Sequence, residues 1–136
     1  MADIRRVTDA FSVAPQLSPA DVATAASQGF VKLINNRPDG EVPGQPTNAE
    51  MEQAARAAGL DYVHIPFAGR PSQEQADAVS ASAEAARGPV LAFCRSGTRS
   101  ITAWSIGQAH AGLRTREELL ELGAEAGYDL SGALAG

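Results

Sequence analysis

The single cysteine of the chain stands in the segment VLAFCRSGTRS, residues 90–100, before a glycine-containing turn and beside two arginines. A short apolar run precedes Cys94 and a helical pattern follows it, so the thiol is predicted to lie at the carboxyl end of a buried strand, where open α/β sheets bind ligands. Backbone N–H groups of such a turn can form a concave anion site, and the positive end of the next helix adds to it. The same field favours the thiolate, which is the nucleophilic form of cysteine.

The residues around the thiol are of the types that bind a tetrahedral oxyanion. Arg99 carries a planar guanidinium that can hold two oxygens at once while staying charged, and Ser100 is expected to donate a hydrogen bond to the cysteine sulfur. In the alternative interpretation Cys94 is a small buried apolar residue and the arginines are surface charges, but strand, thiol, glycine, arginines and helix together favour a site. The predicted substrate-binding residues of the loop are Arg95, Ser96, Gly97 and Thr98.

Helix caps and turn residues divide the rest of the chain into alternating helices and strands. Helices are predicted over residues 20–28, 47–58 and 72–87, from the cysteine turn to about residues 110–112, and after the capping residue Thr115. Strands are predicted over residues 30–35, 62–67 and 90–94, with one or two short edge strands within residues 4–13 and a frayed tail, LSGALAG. This alternation predicts one α/β domain over residues 1–136 with a largely parallel sheet.

The long loop NRPDGEVPGQP, residues 36–46, is the second candidate for function. It follows a strand whose carboxyl end should face the same side as Cys94, so Arg37 is predicted to help bind an anionic substrate. His64 and His110 are predicted to be structural. They offer no metal-ligand spacing, so we expect no metal and no cofactor.

Composition and charge narrow the class of protein. The 136 residues are 44% hydrophobic and 20% charged, which is typical of one folded domain. A formal net charge of -5 argues against a nucleic-acid surface, and a single cysteine excludes an internal disulfide. No apolar run approaches the roughly 18 residues of a membrane span, and the first residues lack a leader pattern, so a cytoplasmic location is expected.

Two resemblances extend this interpretation. The run from Cys94 to Arg99 resembles the active loop of rhodanese-type sulfurtransferases, in which cysteine, arginine and glycine recur at these positions. The segments FSVAPQLSPADV, NRPDGE, PGQP, YVHIP and CRSGTRS resemble the phosphatase-like domain of beta-lactamase-hydrolase-like (Blh) proteins, where it is fused to a persulfide dioxygenase. That resemblance implies a three-layer α/β fold of the phosphotyrosine phosphatase II type, with the cysteine loop leaving a central strand.

The resemblances imply two different activities. Phosphatases of this fold place five residues between cysteine and arginine, whereas four separate Cys94 from Arg99. They also use a general acid, and the segment AGRPSQEQ, where the resemblance would place it, contains no aspartate. Asp39 in the long loop is then the best substitute, with Glu74 and Asp77 behind it. Sulfur transfer needs no such acid, because sulfite leaves thiosulfate as a stable anion.

The sequence therefore predicts a sulfurtransferase that carries sulfur as a Cys94 persulfide. The implied partners are thiosulfate or a glutathione persulfide as donor, a small thiol acceptor, and a persulfide dioxygenase, with no nucleic acid or membrane. The alternative is a tyrosine or dual-specificity type of phosphatase that acts through a phosphocysteine at Cys94. A third interpretation is an oxyanion- or persulfide-sensing module without turnover.

Overall fold

The computed structural model describes residues 2–135, which form five strands and five helices; Met1 and Gly136 lie outside the described residues. The strands are β1 (Arg5–Arg6), β2 (Phe11–Ala14), β3 (Lys32–Asn35), β4 (Asp61–His64) and β5 (Val90–Phe93). The helices are α1 (Pro19–Ser27), α2 (Asn48–Ala57), α3 (Gln73–Glu84), α4 (Thr98–His110) and α5 (Arg116–Ala126). The strand order is β1-β2-β5-β3-β4, and β1 alone is antiparallel to its neighbour.

The sheet separates two apolar layers because alternate residues of its central strands face opposite sides. On β5, Val90 and Ala92 pack with residues of α3, α4 and α5, whereas Leu91 and Phe93 pack with α1 and α2. In the first layer Phe11 stacks on Trp104 with ring centroids 4.7 Å apart. The predicted α/β domain with a mainly parallel sheet is confirmed, and β5 occupies its centre.

The helix starts follow the sequence closely. Reciprocal capping boxes open four helices, each formed by a Ser or Thr side chain and an acid or amide three residues later. The capping residues are Ser18, Thr47, Ser72 and Thr115. None of the helices within residues 2–135 is long and apolar enough to cross a membrane.

Two predictions about the chain ends are wrong. The first segment was expected to add only edge strands, but β2 lies inside the sheet beside β5, and all four of its residues are buried. The tail was expected to be frayed, but Leu130 is buried against Gly123. Beyond it, Arg70 and Arg116 donate hydrogen bonds to the carbonyls of residues 133 and 134. Gly136, the last residue of that predicted tail, lies outside the described residues.

Candidate active site

The cysteine loop leaves the middle of the sheet between the ends of β2 and β3. Cys94 follows β5 directly, and the N–H of Gly97 donates a hydrogen bond to its sulfur at 3.1 Å. α4 begins at Thr98, so its N-terminus faces the loop. Cys94 is buried beneath the exposed side chains of Arg95 and Ser96 in the chain that follows it.

Glycine is required at position 97 for two separate reasons. Its φ of +91° lies in the left-handed region, and a Cβ there would collide with the Tyr128 hydroxyl. That hydroxyl donates a hydrogen bond to the Ser96 carbonyl at 3.1 Å. The hydroxyls of Ser96 and Thr98 are joined to each other at 3.0 Å, on the exposed side of the loop.

The terminal nitrogens of the Arg99 guanidinium group are held by hydrogen bonds to Glu41 and Phe67. Its two terminal nitrogens donate to the Glu41 carboxylate at 2.9 and 2.7 Å, and Nη1 also donates to the Phe67 carbonyl. No oxygen within residues 2–135 accepts from Nε–H or from the second Nη2 N–H, and these two groups form an edge beside Cys94 that can bind two oxygens of an oxyanion. Hydrogen bonding to Glu41, together with the nearby Cys94 charge, raises the pKa of Arg99.

Glu41 carries a negative charge at neutral pH. Hydrogen bonds from Arg99 and then Arg37 lower its pKa to about 2, although burial opposes the shift. The carboxyl group is therefore ionised at neutral pH and has no proton to give to a leaving group. Its role is to hold the arginine of the loop, since it accepts from Arg99 and from Arg37 Nε at 2.7 Å.

Arg37 lies inside the protein and not in the substrate-binding position predicted for it. Its side chain is 4% exposed, and its guanidinium donates to Glu41 and to the Gln16 side chain. The polypeptide turns after β3 so that the Arg37 carbonyl accepts a hydrogen bond from the His64 ring at 2.9 Å and the Arg37 N–H donates to the Asn35 side chain. Arg37 therefore supports Glu41 at Oε1, the same oxygen that accepts from Arg99 Nη2.

Two predicted catalytic residues lie in other arrangements. The Asp39 carboxylate accepts the backbone N–H of Asn48 at 2.7 Å, at the start of α2, where the helix dipole favours a negative charge. The Ser100 hydroxyl is buried and has no hydrogen-bond partner among residues 2–135, so the expected bond to Cys94 is not formed. The Gly97 N–H is the donor to the sulfur in its place.

Arg95, predicted to bind substrate, lies at the exposed side of the loop. Its carbonyl accepts the N–H of Gln16, which follows β2. His64 lies on the edge strand β4 and contacts the backbone of Arg37, and His110 contacts the Asp77 carboxylate at the end of α4. Both histidines therefore have the structural contacts that the sequence predicts.

Sequence reasoning missed three residues of the site: Glu41, Gln16 and Tyr128. Glu41 stands in the recognised loop four residues after Arg37, a spacing that could have signalled an ion pair with Arg37 but not the contact with Arg99. Gln16 follows β2, whose internal position was not foreseen. Tyr128 lies just after α5, and no local pattern indicates its contact with Ser96.

The sheet order and the thiol loop after its central strand define a phosphatase-like domain of the cysteine-dependent tyrosine phosphatase fold. A "putative phosphatase" from Neisseria meningitidis has a similar structure, with a TM-score of 0.82 and 30% identity over 95% of this chain and 92% of that one. Tk-PTP in its active form has a TM-score of 0.71 at 22% identity, covering 93% of this chain and 86% of that one, and shows the fold alone.

The family itself is given by the sequence match. The family model for the phosphatase-like domain of beta-lactamase hydrolase-like proteins matches residues 3–111, and the chain belongs to that family. A beta-lactamase hydrolase-like protein of Agrobacterium fabrum is 41% identical over 130 residues, and one of Xylella fastidiosa is 33% identical over 129. Each match includes 94% of this chain but only 30% of the length of the relative.

Proposed function

We propose that the domain is a cysteine-dependent phosphatase. The observation that carries the proposal is the free Nε–H and Nη2–H edge of Arg99 in the loop that holds the Cys94 sulfur. A sulfur electron pair attacks phosphorus, the bond from phosphorus to the ester oxygen breaks, and the phosphoryl group is carried as phosphocysteine. Water then attacks phosphorus, which releases phosphate and returns the thiolate. The fold and the names of the structural neighbours support this reaction class.

The proton balance restricts the substrate. Glu41 is ionised and Asp39 is bound to the start of α2, so neither is placed to protonate a departing oxygen. General acid catalysis contributes about 10² to 10⁴ to such a rate. The proposed substrates are therefore phosphoesters whose leaving group is already a stable anion, such as aryl phosphates.

Hydrolysis of p-nitrophenyl phosphate tests the proposal. The native protein should release p-nitrophenolate, and Cys94→Ser should abolish the release, because serine offers no thiolate. Ser131→Ala, which removes a hydroxyl bonded only to Asp129, is the matched control and should retain the native rate. Failure of the native protein to hydrolyse any aryl phosphate would reject the proposal.

Sulfur transfer is the second candidate, and two observations of the site favour it. Only four residues separate Cys94 from Arg99, and neither candidate acid is free to donate a proton. The thiolate would attack the outer sulfur of thiosulfate or of a glutathione persulfide, so that the sulfur–sulfur bond breaks and sulfite or glutathione thiolate leaves. A thiol acceptor or a persulfide dioxygenase working beside the domain would then discharge the Cys94 persulfide.

Mass spectrometry of the intact protein distinguishes these reactions. Because Cys94 is the single cysteine, a gain of one sulfur after thiosulfate treatment, absent from Cys94→Ser, supports sulfur transfer. A gain of one phosphoryl group after rapid quenching of an aryl phosphate reaction supports the phosphatase. Thermal stabilisation by thiosulfate with neither adduct would support a sensing module and contradict both enzymes.

A further inference from the structure

We propose that Tyr128 is a positioning residue for the reactive thiol: its hydroxyl fixes one peptide group of the loop so that the N–H of that peptide points at the Cys94 sulfur. The inference rests on the site of the proposed function and adds to it a residue from the C-terminal part of the chain. Tyr128 lies beyond residues 3–111, the part that the family model matches.

The two hydrogen bonds belong to the same peptide group. Tyr128 donates to the carbonyl of Ser96 at 3.1 Å, and the N–H of Gly97 donates to the sulfur at 3.1 Å. A carbonyl and the N–H that follows it form one planar unit and point in opposite directions. The peptide is therefore held at both ends, and rotating it would break both bonds together.

The loop needs such a restraint because Gly97 imposes none. Glycine populates positive and negative φ about equally, so this peptide can rotate without a clash of its own side chain. The Tyr128 hydroxyl occupies the space where a Cβ of residue 97 would stand. The tyrosine thus replaces the conformational restriction that a larger residue would provide, and it does so by a directed hydrogen bond.

The end of α5 places the tyrosine. Gly127 adopts a left-handed conformation with φ +94°, and the N–H of Tyr128 donates to the Gly123 carbonyl at 2.8 Å. Leu130 then packs against Gly123 in the core. Burial raises the pKa of the Tyr128 phenol, so it keeps the proton that it donates.

Tyr128→Phe tests the proposal, since it removes the hydroxyl and leaves the half-buried ring. Two quantities are measured: alkylation of Cys94 by iodoacetamide at pH 7, and amide hydrogen exchange at Gly97 by NMR. The variant should alkylate about 2- to 10-fold more slowly, which corresponds to one lost neutral hydrogen bond, and its Gly97 amide should exchange faster by a similar factor. Ser131→Ala should match the native protein in both.

Melting curves recorded in parallel establish that both variants are folded. An unchanged or faster alkylation rate, or an unchanged Gly97 exchange rate in folded Tyr128→Phe, would overturn the positioning role. If Tyr128→Phe does not fold, the Gly97 amide exchange rate is measured in Cys94→Ala instead, which removes the sulfur and keeps the Tyr128 hydrogen bond. Exchange that is slower than in an unstructured peptide supports the restraint. Exchange at the rate of an unstructured peptide overturns it. Neither measurement needs turnover, so the failure of the phosphatase proposal would be seen separately.

Discussion

Replacing Glu41 by glutamine should destabilise the protein by about 2–3 kcal/mol at pH 7. The change removes the charge shared by Arg37 and Arg99, whose side chains are 4% and 17% exposed. Breaking a fully buried ion pair costs about 3–5 kcal/mol, and the value here is lower because Glu41 is 22% exposed and glutamine keeps one acceptor oxygen. For a domain of this size the melting temperature should fall by about 6–12 °C.

Acid should remove this contribution. The folded-state pKa of Glu41 is about 2, below its ordinary value of 4.5, so the stabilisation is complete above pH 4.5 and disappears as the pH falls toward 2. The difference in stability between native protein and Glu41→Gln, measured by urea unfolding, should therefore shrink between pH 5 and pH 2.

The matched control is Glu52→Gln. Glu52 pairs with Arg56 at the same 2.7 Å, but these side chains are 40% and 62% exposed, so the loss should be no more than about 0.5 kcal/mol. Equal losses from Glu41→Gln and Glu52→Gln, or a Glu41 effect that persists unchanged at pH 2, would refute the view that burial makes the Glu41 charge important.

Two further substitutions test the loop. Gly97→Ala should lose at least about 1–3 kcal/mol more stability than Gly40→Ala in thermal unfolding, because both positions have positive φ but only the first Cβ meets the Tyr128 hydroxyl; equal losses would contradict the collision. Arg99→Lys should lower the turnover of whichever anionic substrate is active by about 10²-fold or more, because an ammonium group cannot bind Glu41 and two substrate oxygens together. Native turnover in that variant would show that the guanidinium edge is not used.

Local sequence signals were sufficient for most of the fold. The four capping boxes and the glycine stops fix helix positions within a few residues, since they act between neighbours in the chain. The strand over residues 90–94 was recognised as central because it is apolar on both faces. The position of β2 was missed because four residues are too few to show whether one or both of their edges are paired, and only the partner strand β5 decides it.

The same difference between local and long-range contacts decides which site residues could be predicted. Cys94 and Arg99 were predictable because both belong to one short loop, and their types restrict the chemistry. The contacts of Glu41 with Arg99 and of Tyr128 with Ser96 join residues that are 58 and 32 positions apart, and no local pattern encodes such distances. Asp39 illustrates the converse: its residue type suits an acid, but its carboxylate accepts the backbone N–H of Asn48 at the start of α2.

The turn formed by residues 128–134 is coupled to the cysteine loop, so it cannot detach independently of that loop. At most chain ends the last residues detach at almost no cost. Here residues 128–134 detach only if Leu130 leaves the core and the Tyr128 hydroxyl leaves the Ser96 carbonyl. Residues 128–134 and the nucleophile's loop therefore belong to one cooperative unit of local unfolding. Residues 128–134 are therefore expected to be protected from proteolysis for as long as the cysteine loop keeps its folded conformation.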